Sequence, residues 1–541
     1  MTQWWKEAVI YQIYPRSFCD SNGDGIGDLP GITQHLDDLQ RLGVDAIWLS
    51  PIYPSPNEDN GYDISDYCAI HPDFGTMEDF DQLVAQARRR GIRIILDLVM
   101  NHTSSQHPWF QAARDKNSPY RDYYYWQPAP APGKLPNNWT SFFGGTVWEY
   151  DEKSCEYYLH LFAPHQPDLN YHNPAVLEEM KKVLRFWLDR GVAGFRCDAI
   201  NYLYKDSLAS SRKKTFPVGA EHYNGLDGTH VVLRELRKVL DEYGAFTVGE
   251  TAMAGPEEAR KFCDPERGEL DAVFSFEHML CDRHGTKWRS APFRWSRFML
   301  TLAKWQEELP WNALYLENHD QPRSVSRFGS DRYPMRSARL LATLLLTLRG
   351  TPFIYQGQEI GMTNFDYTSM KDIRDVESLR MEEIMKKRGI PKGIRWRAIA
   401  RSSRDNSRTP MQWSDAPQAG FTDGTPWIAV NGNYKKINVA AQEKQTYSVL
   451  DYYRRLIALR RGCQTLLQGD FQLLGTDETL SAYSRTLGDE TLVVVLNHSD
   501  RPVCTDAVGQ LVLSSYGYTR FDGMLQPWEA VILRTAGGGQ S

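Results

Sequence analysis

A chain of 541 residues, 41% hydrophobic and 24% charged, has a globular composition and is too long for one simple core. A formal net charge of −6 argues against a nucleic-acid partner held by phosphate contacts, and no run approaches the ~20 apolar residues that cross a bilayer. Eight scattered cysteines form no CxxC pair or zinc spacing, and the opening "MTQWWKEAVIYQIYP" lacks the regions of a secretory leader, so a reducing cytoplasm is expected.

Short β-rich runs alternate with amphipathic helical segments. "AVIYQIYP" (8–15) is followed by an acidic loop, "DSNGDGIGD" (20–28), and a helix pattern over 29–43. "VDAIWLSP" (44–51), a helix pattern over 77–91 and "IRIILDLVMNH" (92–102) continue the series. The later runs are "GFRCDAI" (194–200), "AFTVGE" (245–250), "AVFSFEH" (272–278), "NALYLENHD" (312–320) and "TPFIYQGQE" (351–359). Continuous apolar runs suit strands buried on both faces of a parallel sheet. Eight such repeats predict a closed (β/α)₈ TIM barrel, an α/β fold whose chemistry sits at the C-terminal strand ends. Those ends carry His102, Arg196, Asp198, Glu250, Glu277, His319, Asp320 and Gln356.

Two insertions break the repeat, so the catalytic barrel is assigned to 1–102 and 173–469. Residues 103–172, rich in Pro, Asn, Tyr and Trp, read as a small inserted domain B. Residues 361–420 follow the eighth strand, with a helical "DVESLRMEEIMKKRG" and then "SSRDNSRTPMQW". Both are expected at the catalytic face, walling a pocket. From 470 to 541 the pattern changes to short alternating strands, a C-terminal antiparallel β-sandwich, with a disordered tail "AGGGQS".

Two constellations carry chemistry. Asp198, Glu250 and Asp320 all fall at strand ends. Two carboxyls about 5 Å apart, one ionised and one protonated, suit retaining glycoside hydrolysis, and a third would steady a developing oxocarbenium. Arg196 would lower the pKa of Asp198 and keep it ionised as a nucleophile. In the acidic loop, Asp20, Asn22, Asp24 and Asp28 stand at positions 1, 3, 5 and 9, with the Ile26 carbonyl at 7 and Gly25 at the sharp turn. This mimics a calcium loop, although Gly31 replaces the Glu that ends an EF-hand.

The chain resembles the α-amylase family of glycoside hydrolases, in its oligo-1,6-glucosidase/α-glucosidase branch. "DLVMNH" (97–102), "GFRCDAI" (194–200), "VGE" (248–250) and "ENHD" (317–320) are similar to that family's four signature segments, in order, and "QPDLN" (166–170) to a fifth. The resemblance implies that Asp198 is the nucleophile, Glu250 the acid/base and Asp320 the transition-state stabiliser. It also implies that Asp59, Tyr62, His102, Phe143, Phe162, Gln166, Arg196, His319 and Arg404 line the subsite for a non-reducing-end glucose. Related α-glucosidases carry a structural Ca²⁺ or Mg²⁺ in the acidic loop, and no organic cofactor is expected.

Ala199, beside the nucleophile, is expected to face the leaving-group sugar. By the same resemblance valine there accompanies α-1,6 preference, whereas a small residue leans toward α-1,4 or mixed linkage. The expected activity is therefore that of a retaining, exo-acting α-glucosidase on short oligosaccharides, with some transglucosylation. It would be a monomer or small homo-oligomer needing neither nucleic acid nor membrane. One alternative is a trehalose-6-phosphate hydrolase, for which "KDSLASSRKK" (205–214) offers basic residues. A sucrose isomerase fits less well, because "QPRSVSRFG" after Asp320 lacks an Arg-Leu-Asp-Arg-type run. A non-catalytic transporter subunit is remote, since such relatives carry a transmembrane helix and lack the acidic triad.

Overall fold

The computed structural model describes residues 3–131 and 133–536. Eight parallel strands close into a barrel: β1 (Ile10–Ile13), β2 (Ala46–Leu49), β3 (Arg93–Val99), β4 (Gly194–Asp198), β5 (Phe246–Glu250), β6 (Ala272–Phe274), β7 (Ala313–Leu314) and β8 (Thr351–Tyr355). Neighbours in sequence are neighbours in space, and β1 pairs with β8, Ile10 opposite Phe353, to shut the cylinder. Apart from exposed Arg93 and half-buried Glu250, every residue of these strands is buried. That is why they read as continuous apolar runs rather than as alternation. At Gly194 the barrel wall is so tight that a Cβ would lie 2.3 Å from the Phe246 carbonyl oxygen. The strands are shorter than the runs that announce them. β6 stops at Phe274 and β7 spans only two residues, so most of "AVFSFEH" and "NALYLENHD" is loop.

The helices between strands start where the sequence places caps. Thr76 and Asp79 form a reciprocal capping box at Met77–Arg89, and Asn173 caps Pro174–Asp189 with proline in its first turn. The pattern over 29–43 is two helices, Leu29–Gln34 and Leu36–Leu42, broken at His35.

The first insertion folds around a three-stranded antiparallel sheet made of Trp126–Gln127, Glu156–Leu159 and Trp148–Asp151 in that spatial order. It returns to the barrel mouth through bridges of His102 to Asp168 and of Tyr124 to Leu169. A buried ammonium fastens that return: Lys205 Nζ donates to Asp168 Oδ2 at 2.6 Å, to Asn101 Oδ1 at 3.0 Å and to the Tyr202 carbonyl at 2.9 Å. The second insertion supplies helices Val376–Lys387, Lys392–Ser402 and Asp405–Arg408. At the C-terminal end, a five-stranded antiparallel sheet begins at Asp470 and faces a two-stranded one. Buried Arg485 ties it to the barrel by donating to the carbonyls of Thr347 and Gly469. The glycine-rich tail expected to be disordered lies, past Ala536, outside the described residues.

Candidate active site

The C-terminal ends of the strands and both insertions enclose one cavity of about 190 Å³. Of the residues singled out from the sequence, Asp59, Tyr62, His102, Phe143, Phe162, Gln166, Asp198, Ala199, Glu250, Asp320 and Arg404 line it. Arg196 and His319 stand directly behind, bonded to the acids.

At the β4–β5 side one guanidinium serves three carboxylates. Arg196 Nη1 donates to Asp97 Oδ1 at 2.8 Å and to Asp198 Oδ1 at 2.6 Å, while Nη2 contacts Glu250 Oε2. Asp198 and Glu250 thus sit on adjacent nitrogens of the same group, within hydrogen-bonding reach of each other. Burial raises all three acids, and one positive charge shared three ways offsets this only partly. Asp97 and Asp198 rise to about 6 and Glu250 to about 7. Asp198 nonetheless ends above the usual carboxylate range. The guanidinium does pull it down, but desolvation and Asp97 push harder. Glu250 is pushed up further by Asp198 and Asp320, so it is the site that keeps a proton.

At the β7 side Asp320 faces more than one cation. Burial would raise Asp320, but His319 and the guanidiniums of Arg404 and Arg408 hold its carboxyl well below the usual range. Arg408 Nη2 donates to Asp320 Oδ1 at 2.8 Å, and Arg404 Nη1 lies 3.4 Å from the same oxygen. Burial lowers His319 in turn, while Asp320 beside it works the other way. Gln12 Nε2 donates to His319 Nδ1 at 2.8 Å, which puts the ring proton on Nε2, facing the Tyr62 hydroxyl at 2.6 Å and Asp320 Oδ2 at 3.1 Å.

The closed end of the cavity is built by residues distant in sequence. Arg404 Nη2 donates to Asp59 Oδ1 at 2.8 Å, its Nε to Asp375 Oδ1 at 2.8 Å, and its guanidinium covers the Phe143 ring at 5.4 Å. Gln166 Nε2 reaches Asp59 Oδ2 at 3.3 Å, with Phe162 against His102 at 5.1 Å. Tyr62 stacks parallel to His319 at 5.2 Å. Aromatic faces beside a carboxylate and donors are the usual furniture of a pyranose site, apolar ring faces meeting rings and hydroxyls meeting polar groups.

Two strand-end candidates do not join. Because β6 ends at Phe274, Glu277 opens a 3₁₀ turn and points outward to Lys304 and to the Trp305 indole N–H. Gln356 is buried beneath the site, accepting from Tyr14 N and donating to the Ser17 carbonyl. Sequence reading also missed residues. Asp97 lies within a quoted segment but was not singled out. Phe142, Tyr202, Ala252, Lys287, Gln321 and Glu377 also line the cavity, and Lys287 pairs with Glu377. The only available signal was position: Gln321 follows Asp320, and Glu377 lies in the second insertion. Of the basic stretch 205–214, Lys205 is consumed by Asp168, and Arg212, Lys213 and Lys214 are exposed and absent from the cavity lining. Ala199 is buried with a left-handed backbone, φ 44° and ψ 37°.

The acidic loop lies away from this cavity. Asp20 Oδ1 accepts from Asn22 N and Gly23 N, its Oδ2 from Gly25 N, Asn22 Oδ1 from Asp24 N, and Asp24 Oδ1 from Ile26 N. Asp28 caps the next helix through Gly31 N. Gly25 is required twice: φ is 92°, and a Cβ would land 1.8 Å from the Thr425 carbonyl oxygen. Among the described residues, no group of three His, Cys, Asp or Glu side chains is placed to hold a metal ion, and the Ile26 carbonyl accepts no hydrogen bond. The donor set is all oxygen, which is hard-cation chemistry.

Comparison with known proteins fits this geometry. A family model described as the α-amylase catalytic domain matches residues 12–469. An oligo-1,6-glucosidase of Parageobacillus thermoglucosidasius is 49% identical, covering 98% of this chain and 99% of its own length. A trehalose-6-phosphate hydrolase of Escherichia coli K12 is 47% identical over 92% of this chain and 91% of its own. Among solved structures, an isomaltulose synthase from Klebsiella sp. LX3 superposes with a TM-score of 0.96 at 42% identity, covering 98% and 99% of the two chains.

Proposed function

The chain belongs to the α-amylase family of glycoside hydrolases, and from that premise we propose that it is a retaining, exo-acting α-glucosidase releasing glucose from short α-glucosides. The observation that carries the reading is the single guanidinium joining Asp198 to Glu250. Carboxyls this close leave no room for the water that an inverting enzyme places between them, a gap of roughly 6.5–9.5 Å. Asp198, the more readily ionised of the pair, attacks the anomeric carbon as its bond to the leaving oxygen breaks. Glu250, holding its proton at neutral pH, gives it to that oxygen. The glucosyl ester on Asp198 is then hydrolysed by water, whose proton returns to Glu250. Asp320, kept ionised by its two arginines, stabilises the positive charge developing on the ring in both steps.

Exo action follows from the closed end. Asp59 and Arg404 cap the cavity, so one terminal glucose fits and no further sugar extends beyond it. On the open side, Ala199 contributes one methyl next to the nucleophile, which supports acceptance of an α-1,4-linked ring as well as the α-1,6 linkage named in the curated relatives. A panel of maltose, isomaltose, panose, sucrose, trehalose and trehalose-6-phosphate, followed by NMR of the first product, tests the reading. α-Glucose released first from maltose or isomaltose is the expected result. Initial β-glucose, or turnover restricted to trehalose-6-phosphate, would refute it.

For the acidic loop the reading is a structural Ca²⁺ or Mg²⁺ held by Asp20, Asn22, Asp24, the Ile26 carbonyl and Asp28, supported by its all-oxygen donor set. Chelation with excess EDTA is expected to lower the melting temperature, as loss of any ligand specific to the folded state does. An unchanged melting curve, with no metal in the purified protein, would dispose of the site. Cytoplasmic residence also belongs to the proposal. It is supported by eight free cysteines, and among the described residues no helix is long and apolar enough to span a membrane.

A further inference from the structure

We infer that Gln321 is the hydrogen-bond donor that recognises the sugar on the leaving-group side, and that Arg327 is built to hold it in that role. The inference rests on the α-glucosidase reading and adds a specificity residue to it.

Gln321 follows Asp320 and lines the open part of the cavity, where Lys287, Glu377, Tyr202 and Ala252 also stand. Its amide is not free to turn. Arg327 Nη1 donates to Gln321 Oε1 at 2.8 Å. An arginine has no acceptor, so the atom facing it must be the amide oxygen, and the NH₂ is turned the other way. Among the described residues, no acceptor engages that NH₂.

Arg327 is itself immobile. It is 7% exposed and grips Asp282, which is fully buried, through Nε to Oδ2 at 3.1 Å and Nη2 to Oδ1 at 2.7 Å. Nη2 also contacts the Met279 carbonyl. A forked Arg–carboxylate pair fixes orientation as well as position. The chain Asp282–Arg327–Gln321 therefore runs from a buried anion after β6 to a donor aimed into the cavity after β7. A glutamine needed only to fill space would not require its oxygen pinned by a buried guanidinium.

The glucose side of the cavity already has its polar groups in Asp59, His102, Gln166 and Arg404, at the closed end. The chemical class that suits a fixed neutral donor at the other end is a hydroxylated leaving group or acceptor, a sugar oxygen rather than a phosphate or a bare aromatic ring. The same contact serves transfer. An acceptor sugar hydroxyl attacks the anomeric carbon of the glucosyl ester, a C–O bond forms as the bond to Asp198 breaks, and the hydroxyl proton passes to the Glu250 carboxylate. Gln321 acts in that step only by holding the acceptor.

Gln321→Met removes the donor at similar volume on a partly exposed side chain, so folding is preserved. With p-nitrophenyl α-glucoside, whose leaving group has no sugar hydroxyls, kcat/KM is expected to stay within about twofold. With maltose and isomaltose it is expected to fall about tenfold, the size of one hydrogen bond. At high glucose the ratio of transfer to hydrolysis should drop by a similar factor. Arg327→Lys keeps a cation for Asp282 but frees the amide, and is expected to reproduce the selective loss, mainly in KM for the disaccharides. Equal losses on the aryl glucoside and the disaccharides, or no loss on either, would overturn the assignment. If the unaltered protein cleaves α-glucosides and the variant ratio is unchanged, only this inference falls. If the unaltered protein cleaves none, the α-glucosidase reading falls with it.

Discussion

The two sides of the cavity put carboxylates into the same kind of buried surroundings and reach opposite results. Around Arg196, three acids share one guanidinium, and all three are raised. Around Asp320, Arg408 and Arg404 both face one carboxylate, and it is held far down, although Arg404 is shared with Asp59 and Asp375. Burial does not by itself decide the protonation state. The cations in contact with each carboxylate weigh against burial, because each buried charge must be matched by another or given up. A two-step displacement needs both outcomes: a proton kept near neutrality on one side and a permanent anion on the other.

The hardest way to break this contrast is to remove the reacting pair. Asp198→Asn or Glu250→Gln each deletes one half of the displacement, and kcat is expected to fall by about three or more orders of magnitude. Loss of less than about tenfold in either, measured as initial rates on a disaccharide, would reassign the roles. Asp320→Asn removes the fixed anion but neither reacting group. A loss of about 10²–10³ in kcat is expected, the range seen when one preorganised electrostatic contact is lost.

The pH profile reads the two sides separately. In the proposed mechanism Glu250 must be protonated to act as acid, and its raised value of about 7 means that activity is expected to be lost as pH rises through 7. Asp198 must be ionised, and its raised value of about 6 means that activity is lost as pH falls through 6. A narrow bell in kcat/KM with apparent limbs near these values is expected, belonging to the coupled pair. Asp320 should contribute no limb above about pH 4, since its carboxyl is held below the usual range. A broad plateau from pH 5 to 9 would show that the shared guanidinium does not govern the pair.

The smallest effect is expected at Ala199, which touches the nucleophile's neighbourhood without changing charge. Ala199→Val should lower activity on maltose more than on isomaltose, by a ratio worth about 1–3 kcal/mol. The left-handed backbone disfavours a β-branched side chain, so both rates drop and only their ratio is diagnostic. An unchanged ratio would move linkage choice to another residue.

The barrel was legible because both faces of its strands are buried, which writes each strand as an apolar run ending in polar residues. The acids at those ends were legible for the same reason. What failed was the point at which a strand stops. Glu277 reads like Glu250, but β6 ends three residues earlier and the chain turns outward. The charge ratio around each acid was not legible either. Arg408 lies 88 residues from Asp320 and Asp97 lies 99 from Arg196. Period and spacing carry no trace of partners brought together by closure of a cylinder. Gln321 was hidden in another way, since nothing in "NHDQPR" says which way an amide faces until Arg327 is seen behind it.

The contact between Arg404 and Asp59 joins residues 345 apart, and this bears on how the protein is made. During synthesis the chain emerges from its N-terminal end, with Asp59, the first strands and domain B exposed long before the segment that closes the pocket. β1 also waits for β8 to seal the barrel. A nascent chain therefore has an incomplete sugar site and no guanidinium for a buried aspartate. Substrate present in the cell can favour the folded state only after nearly three-quarters of the polypeptide has left the ribosome.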